Sequence, residues 1–241
     1  MFTGPYGVGE NGAWQDWLLV RLEHLALVPD AIDDVVAASL PVAYLTAQAA
    51  LTLAGFKPGM TVLAPGIGGS VGNATYQLAR AQRAGKVIST AGSAAKAARA
   101  REVGFEDVVD LSEESLDEGV RRITAGKGVD IVIESIGGTM TSEALSSLSP
   151  GGVLITLGYS GGRKTTIDVT DLIWKHARMD GFSLFAQSPT AIADAWRNIL
   201  PLIVGGSVKP LVERVYPLCE AGEALRHLIE DRPFGKVILA G

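Results

Sequence analysis

One stretch, Val62–Gly72, constrains the fold of this chain more than any other. It begins as a short apolar run, breaks into glycines from Gly66 onward, and continues as the helix-like pattern Asn73–Arg80. This order is typical of a strand, a tight turn and a helix start. Glycines let a backbone approach a pyrophosphate closely, and the free amides and dipole of a helix N-terminus favour its negative charge. The stretch therefore predicts a dinucleotide site, and we expect a nicotinamide cofactor.

The literal pattern G-x-G-x-x-G lies elsewhere, at Gly7–Gly12. No apolar strand precedes it and the strand-like run Trp14–Val20 follows it, so we reject it, because such a motif has meaning only between a strand and a helix. In the better stretch Ile67 occupies the first glycine position, which leaves Gly66 and Gly68 as candidates for closing the turn. An ordinary glycine-rich turn of a parallel sheet is the alternative interpretation.

The residues after the next predicted strand, Lys86–Thr90, indicate which cofactor fits. An acidic residue about 20 positions past the glycines would hold the ribose hydroxyl of NAD. None occurs before Glu102, whereas Ser93 and Lys96 supply a hydroxyl and an amine. This favours NADPH, with Ser93 and Lys96 at its extra phosphate. Alternatively, Ser93 is only a helix cap and Lys96 a solvated lysine.

Composition excludes several other classes of protein. The 241 residues are 47% apolar and 20% charged, which is typical of a packed globular chain, and the net charge of −5 argues against a nucleic-acid partner. Neither a signal peptide nor a run of membrane-spanning length is present, so we expect a soluble, cytoplasmic protein. The single cysteine, Cys219, and three scattered histidines predict no metal site.

Apolar, strand-like runs alternate with helical patterns from residue 60 onward, which predicts an α/β fold with a doubly wound parallel sheet. The predicted strands are Thr61–Ala64, Lys86–Thr90, Val108–Val109, Val129–Glu134 and Gly152–Leu157. A helical stretch, Asp33–Leu53, comes before them, with a break at Pro41. After them we expect strand Asp180–Ala186, helix Pro189–Val204, strand Leu211–Tyr216, helix Glu220–Glu230 and strand Lys236–Ala240.

Several short motifs occur in a recognisable order, including Ser39–Ala43, Phe56–Val62, Asp130–Gly137, Pro150–Leu154 and Gly235–Leu239. Together they resemble the medium-chain dehydrogenase/reductase superfamily, in its zinc-free quinone oxidoreductase branch. The resemblance implies a Rossmann domain over residues 32–203, flanked by remnants of a GroES-like β domain at 1–31 and 204–241. Most of the N-terminal part of that catalytic domain is absent, so we expect this chain to be truncated.

The resemblance also implies roles for individual residues. The pyrophosphate is expected on the amides of Gly69, Ser70 and Val71, and the adenosine phosphate near Ser93, Lys96 and Arg232. The residues expected beside the nicotinamide and its ribose are Thr46, Ile136, Gly158, Tyr159 and Phe185. Two departures from the family are Leu111, where relatives often have a tyrosine at the phosphate, and Ser70, where they have a glycine.

The implied activity is NADPH-dependent hydride transfer to a quinone or a conjugated carbonyl, with no catalytic acid identified in this chain. The resemblance also implies a homodimer that pairs the strand near Met179–Ala186. A cofactor-binding module with little activity because of truncation is one alternative. Short-chain dehydrogenases do not fit, because no tyrosine has a lysine four residues on, and a methyltransferase would commonly carry an acid where Ala64 and Pro65 stand.

A serine hydrolase is the other alternative, because Gly158–Gly162 satisfies G-x-S-x-G directly after a predicted strand. Ser160, Asp194 and His227 follow the chain order of a hydrolase triad. A nucleophile turn of this kind runs straight into a helix, however, and Arg163–Asp168 has no helical apolar stripe.

Overall fold

The computed structural model describes residues 1–241, and its centre is a six-stranded parallel sheet in the order β3-β2-β1-β4-β5-β6. The strands run over β1 Thr61–Ala64, β2 Lys86–Ala91, β3 Val108–Asp110, β4 Val129–Glu134, β5 Leu148–Thr156 and β6 Arg178–Gly181. Because β1 and β4 are central, the chain builds the sheet outward in both directions. The predicted doubly wound sheet is confirmed.

Helices cover both faces of this sheet. Seven of them are α2 Ala43–Leu53, α3 Ser70–Ala81, α4 Ala94–Glu102, α5 Leu116–Thr124, α6 Thr139–Ser146, α7 Val169–Lys175 and α8 Pro189–Val204. Neighbouring strand residues point to opposite faces, so Val62 packs with α2, α3 and α8, whereas Leu63 packs with α5 and α6. Burial on both faces explains why the strands read as continuous apolar runs.

A small C-terminal unit lies outside the six-stranded sheet. It consists of β7 Val212–Pro217, α9 Ala221–Glu230 and β8 Lys236–Ala240, with β7 and β8 paired in parallel. Its strands contact α1, Asp34–Ser39. The segment between α9 and β8 lies beside the β1–α3 turn, since the Gly235 amide donates to the Gly68 carbonyl oxygen.

The structure differs from the sequence predictions in three places. The predicted strand Asp180–Ala186 is in fact β6 at Arg178–Gly181 followed by a 3₁₀ turn at Leu184–Ala186. The register with β5 sets these bounds, since Val153 pairs with Arg178 and Thr156 with Gly181. Helix α7 was not predicted.

The third correction concerns Trp14–Val20, which forms no strand because no neighbouring strand is available to pair with it. In contrast, the break predicted at Pro41 is observed, since α1 ends at Ser39 and α2 starts at Ala43. No helix of the structure has the length and apolarity that crossing a membrane requires.

Candidate functional site

The turn between β1 and α3 is closed by Gly66, whose φ of +81° lies in the left-handed region that favours glycine. The Gly66 amide donates to Thr90 Oγ1 at 2.9 Å, and the Ile67 amide donates to the Thr90 carbonyl oxygen, also at 2.9 Å. Ile67 is fully buried, so it anchors the turn instead of facing a ligand. One of the two glycines expected to close the turn therefore does so.

Gly72 allows α3 to start directly against the end of β1. A Cβ atom at this position would overlap the carbonyl oxygens of Pro65 and Gly66. Only a glycine fits there without a backbone shift. The third glycine of a dinucleotide-binding turn has this role, because it lets the helix pack closely against the strand.

The N-terminus of α3 presents backbone amides that have no partner in the protein. The N-cap residue is Gly69, which offers no side-chain acceptor, and the first α3 amide that bonds within the turn is that of Asn73, to the Gly69 carbonyl oxygen. The amides of Ser70, Val71 and Gly72 donate to no acceptor of the chain. By contrast, serine side chains cap α4 and α5. Unsatisfied amides at a helix start favour an anion.

A cavity of about 380 Å³ opens in front of these amides. It brings together four of the predicted residues, Gly69, Ser70, Lys96 and Arg232. No acidic side chain lines it, and neither Lys96 nor Arg232 forms an ion pair within the chain. The arrangement of open amides and two unpaired cations is suited to an anionic ligand with several phosphates.

Ser93 lies next to the cavity but does not line it. Its hydroxyl accepts from the Lys96 amide at 3.4 Å and so caps α4. This is the helix-cap role weighed for Ser93 from the sequence, and it orients the first turn of the helix that carries Lys96.

The C-terminal unit contributes one wall of the cavity. The Gly235 amide donates to the Gly68 carbonyl oxygen at 3.2 Å, and the Phe234 ring lies over Gly68, 3.3 Å from where a Cβ would stand. These contacts bring Arg232 to the glycine turn. The sequence alone did not indicate the part played by Phe234.

Two interlocked turns, Ser135–Gly138 and Gly158–Gly162, carry three further predicted residues, Ile136, Gly158 and Tyr159. The Gly161 amide donates to the Ile136 carbonyl oxygen at 2.6 Å, and the Gly138 amide to the Gly162 carbonyl oxygen at 3.0 Å.

The glycines of these turns permit their close approach. A side chain at Gly158 would overlap the Ser135 carbonyl. The Ile136 side chain reaches to 3.3 Å from the Cβ position of Gly66, so the interlocked turns adjoin the β1–α3 turn.

Other predicted residues lie apart from the cavity. Thr46 is buried in α2, and Phe185 is half-exposed on the 3₁₀ turn after β6. Tyr159 is exposed, and the Arg163 guanidinium lies 5.3 Å from its ring centroid.

Sequence reasoning missed Glu134, the last residue of β4. It is fully buried, and its carboxylate accepts hydrogen bonds from the turn that carries Ile136. The signal for it was its place at the carboxyl end of a central strand, where ligands of open α/β sheets bind.

The arrangement expected of a serine hydrolase is not assembled. His227 contacts Asp231 through Nδ1 at 2.7 Å and Glu213 through Nε2 at 2.9 Å, so neither ring nitrogen meets Ser160. Asp194 pairs with Arg197. The chain also continues from Ser160 to α7 without an intervening helix, so the nucleophile turn is absent.

A doubly wound parallel sheet with open amides after its first strand is the architecture of the Rossmann class of folds. The sequence profile of the family described as zinc-binding dehydrogenase matches residues 70–204. The chain thus belongs to the medium-chain dehydrogenase/reductase superfamily and is quinone oxidoreductase-like, which confirms the family resemblance. It has no group of three or more histidine, cysteine, aspartate or glutamate side chains placed to hold a metal ion.

Individual relatives support this assignment. Quinone oxidoreductase-like protein 2 of Bos taurus is 31% identical over 229 residues, which cover 90% of this chain and 64% of that protein. The quinone oxidoreductase of Thermus thermophilus, solved also in complex with NADPH, is 30% identical with a TM-score of 0.83, covering 97% of this chain and 75% of that one. An NAD-dependent alcohol dehydrogenase is 28% identical with a TM-score of 0.82, covering 96% and 66%.

Proposed function

We propose that this chain binds NADPH and serves an oxidoreductase of the quinone reductase type, in which hydride passes to a quinone or a conjugated carbonyl. The observation that carries the proposal is the single cavity in which the open α3 amides meet two unpaired cations and no carboxylate. When bound, the cofactor supplies the hydride, and the protein residues bind and orient it.

Each part of the proposed site has a separate role. The amides of Ser70 and Val71, with Gly69 before them, would hold the pyrophosphate. Lys96 and Arg232 would hold the adenosine phosphate, with Ser93 fixing the start of α4. The residues proposed for the nicotinamide end are Ile136, Gly158 and Tyr159, with Thr46 and Phe185 retained from the family resemblance.

Different parts of the chain would have different roles in this function. Residues 32–203 would form the dinucleotide-binding domain, residues 204–241 would supply Arg232, and residues 1–31 would belong with the C-terminal unit to the catalytic part. One solved relative is described with NADPH and another as NAD-dependent, so the choice between them is argued from this chain. The missing carboxylate and the two cations favour the phosphorylated cofactor.

Calorimetric titration of NADPH and NADH tests the role of Lys96. A charge-assisted contact to phosphate contributes about 1.5–3 kcal/mol, so Lys96→Ala should weaken NADPH binding roughly tenfold to hundredfold. NADH binding should stay nearly unchanged. Lys96→Glu should weaken NADPH further, because it adds repulsion against the phosphate.

Arg99→Ala is the matched control, since Arg99 lies on the same helix but pairs with Glu102. It should leave both affinities near those of the wild type. Raising the salt concentration should reduce the preference for NADPH, because an exposed lysine–phosphate pair is screened. Equal wild-type affinities for NADPH and NADH, or equal losses for both in Lys96→Ala, would refute the preference.

A further inference from the structure

Glu134 is a fully buried carboxylate without a cationic partner. Its Oε1 accepts from the amides of Ile136 at 2.5 Å and Gly137 at 2.8 Å. Its Oε2 accepts from the hydroxyls of Thr141 at 2.9 Å and Thr156 at 3.3 Å. All four contacts suit an ionised carboxylate, which only accepts hydrogen bonds.

The surroundings of this carboxylate stabilise its charge without neutralising it. Both oxygens lie at the start of α6, because they contact Gly137 just before this helix and Thr141 in its first turn. The positive end of a helix dipole favours a negative charge. No lysine, arginine or histidine side chain contacts Glu134, so the carboxylate has hydrogen-bond donors around it but no ion-pair partner.

The same carboxylate fixes both interlocked turns. It holds the Ile136 and Gly137 amides directly, and the Ile136 carbonyl oxygen in turn accepts from Gly161. Its contact to Thr156 secures the end of β5, where the second turn begins. The Leu157 amide also donates to the Glu134 carbonyl oxygen at 2.9 Å. One residue therefore sets the geometry of the turns that carry Ile136, Gly158 and Tyr159.

We propose that Glu134 is a positioning residue for the nicotinamide end of the cofactor, and that its buried charge favours the oxidised cofactor over the reduced one. This inference rests on the proposed function. The oxidised nicotinamide ring carries a positive charge and the reduced ring is neutral, whereas the phosphates are common to both forms. A buried charge is little screened by salt, so it acts on this difference.

The test compares the affinities of NADP⁺ and NADPH by calorimetry, without substrate, in the wild type and in Glu134→Gln. Glutamine keeps the shape of the side chain, and threonine hydroxyls can accept from its amide, so the contacts survive while the charge is lost. The ratio of the NADP⁺ dissociation constant to that of NADPH should rise about tenfold, because the substitution removes a charge that favours only the oxidised ring.

Thr156→Val is the matched control, because it removes one hydrogen bond from the same carboxylate and leaves the charge. Its ratio should stay within about twofold of the wild type, even if both affinities fall. Arg163, exposed over Tyr159, is the nearby cation, and repeating the titrations at high salt screens its contribution.

Several results would overturn the inference. If the ratio of the NADP⁺ and NADPH dissociation constants in Glu134→Gln equals that of the wild type, the carboxylate has only a structural role. If Glu134→Gln does not fold, the shorter isosteric pair Glu134→Asp and Glu134→Asn repeats the comparison. If both neutral variants unfold, the ratio is compared between the wild type and Glu134→Asp, in which the carboxylate is drawn back by one methylene group. An unchanged ratio in Glu134→Asp would then refute the cofactor part. A wild type that binds neither cofactor form refutes the proposed function instead.

Discussion

At the scale of single residues, Gly72 shows how a missing side chain determines where α3 begins. Replacing it with alanine would bring a Cβ atom into the carbonyl oxygens of Pro65 and Gly66. These are backbone atoms, so the turn itself must move. We expect Gly72→Ala to lower the free energy of unfolding by about 1–3 kcal/mol, as overpacking does, and to weaken dinucleotide binding.

Urea denaturation measures the free energy of unfolding of Gly72→Ala and of the control variant Gly222→Ala. Gly222 lies in α9 with no atom within 4 Å of its Cβ position, so alanine there should be neutral or stabilising by about 0.5–1 kcal/mol. Equal effects of the two substitutions would show that the packing at Gly72 is unimportant.

The sequence indicates some residue roles and conceals others. Gly66 was a candidate for closing the turn, because a glycine-rich segment after an apolar run has few alternatives. The hydroxyl of Thr90 accepts the Gly66 amide only because β1 and β2 pair with Ala64 opposite Ser89, a register that residue order does not state. The contact of Phe234 with Gly68 joins distant parts of the chain and has no local pattern.

At the scale of elements, β6 is the edge of the six-stranded sheet and has β5 as its one neighbour. Helix α7, which precedes β6 in the chain and contacts β5, exposes Val169, Ile173 and Trp174. An uncovered edge strand offers free hydrogen-bonding groups to another copy of itself. We propose that the protein forms a homodimer through β6.

Gly181→Pro tests this pairing. The Phe182 amide donates to the Thr156 carbonyl oxygen on β5. Successive amides of a strand point to opposite sides, so the Gly181 amide points toward the free edge. Proline there removes an edge donor and should shift the protein from dimer to monomer in light scattering at micromolar concentration. Circular dichroism should show an unchanged fold. A monomeric wild type, or a dimer that persists in Gly181→Pro, would argue against the β6 interface.

Element types were predicted better than element bounds. The central strands are buried on both faces and read as unbroken apolar runs, so their positions agree closely with the prediction. Helix α7 was missed because Leu172, Ile173 and Trp174 are contiguous and do not follow helical spacing. Its start was nevertheless marked by Asp168, whose side chain accepts from the Thr170 amide at 2.9 Å.

At the scale of the whole molecule, His227 connects the elements of the C-terminal unit, which contacts the glycine turn. It joins α9 to β7 through Glu213 and to Asp231 at the end of α9. Hydrogen bonds to Asp231 and then Glu213 raise the pKa of His227 above its ordinary value of 6.5. The protonated ring is therefore favoured in the folded state.

A raised folded-state pKa gives stability that is fully present below the unfolded pKa and is lost as the pH rises through the folded one. We expect the melting temperature to fall above about pH 6.5 by this contribution, and His227→Gln to show a weaker fall. Melting curves of both proteins from about pH 5.5 to about pH 8.5 check this. If the melting temperatures of both proteins change with pH to the same extent, protonation of His227 does not contribute to stability.

The cavity is lined by Lys96 and Arg232, which lie far apart in the chain, so it is completed late during synthesis. Lys96 and the glycine turn precede Arg232 in the chain, and Arg232 reaches them only when β7, α9 and β8 lie against α1 and the glycine turn. A nascent chain thus carries the anion-binding turn without its second cation. Under the proposed function, full affinity for the cofactor arises only in the last stage of folding. On that proposal, the cofactor would stabilise only those chains whose C-terminal unit is already in place.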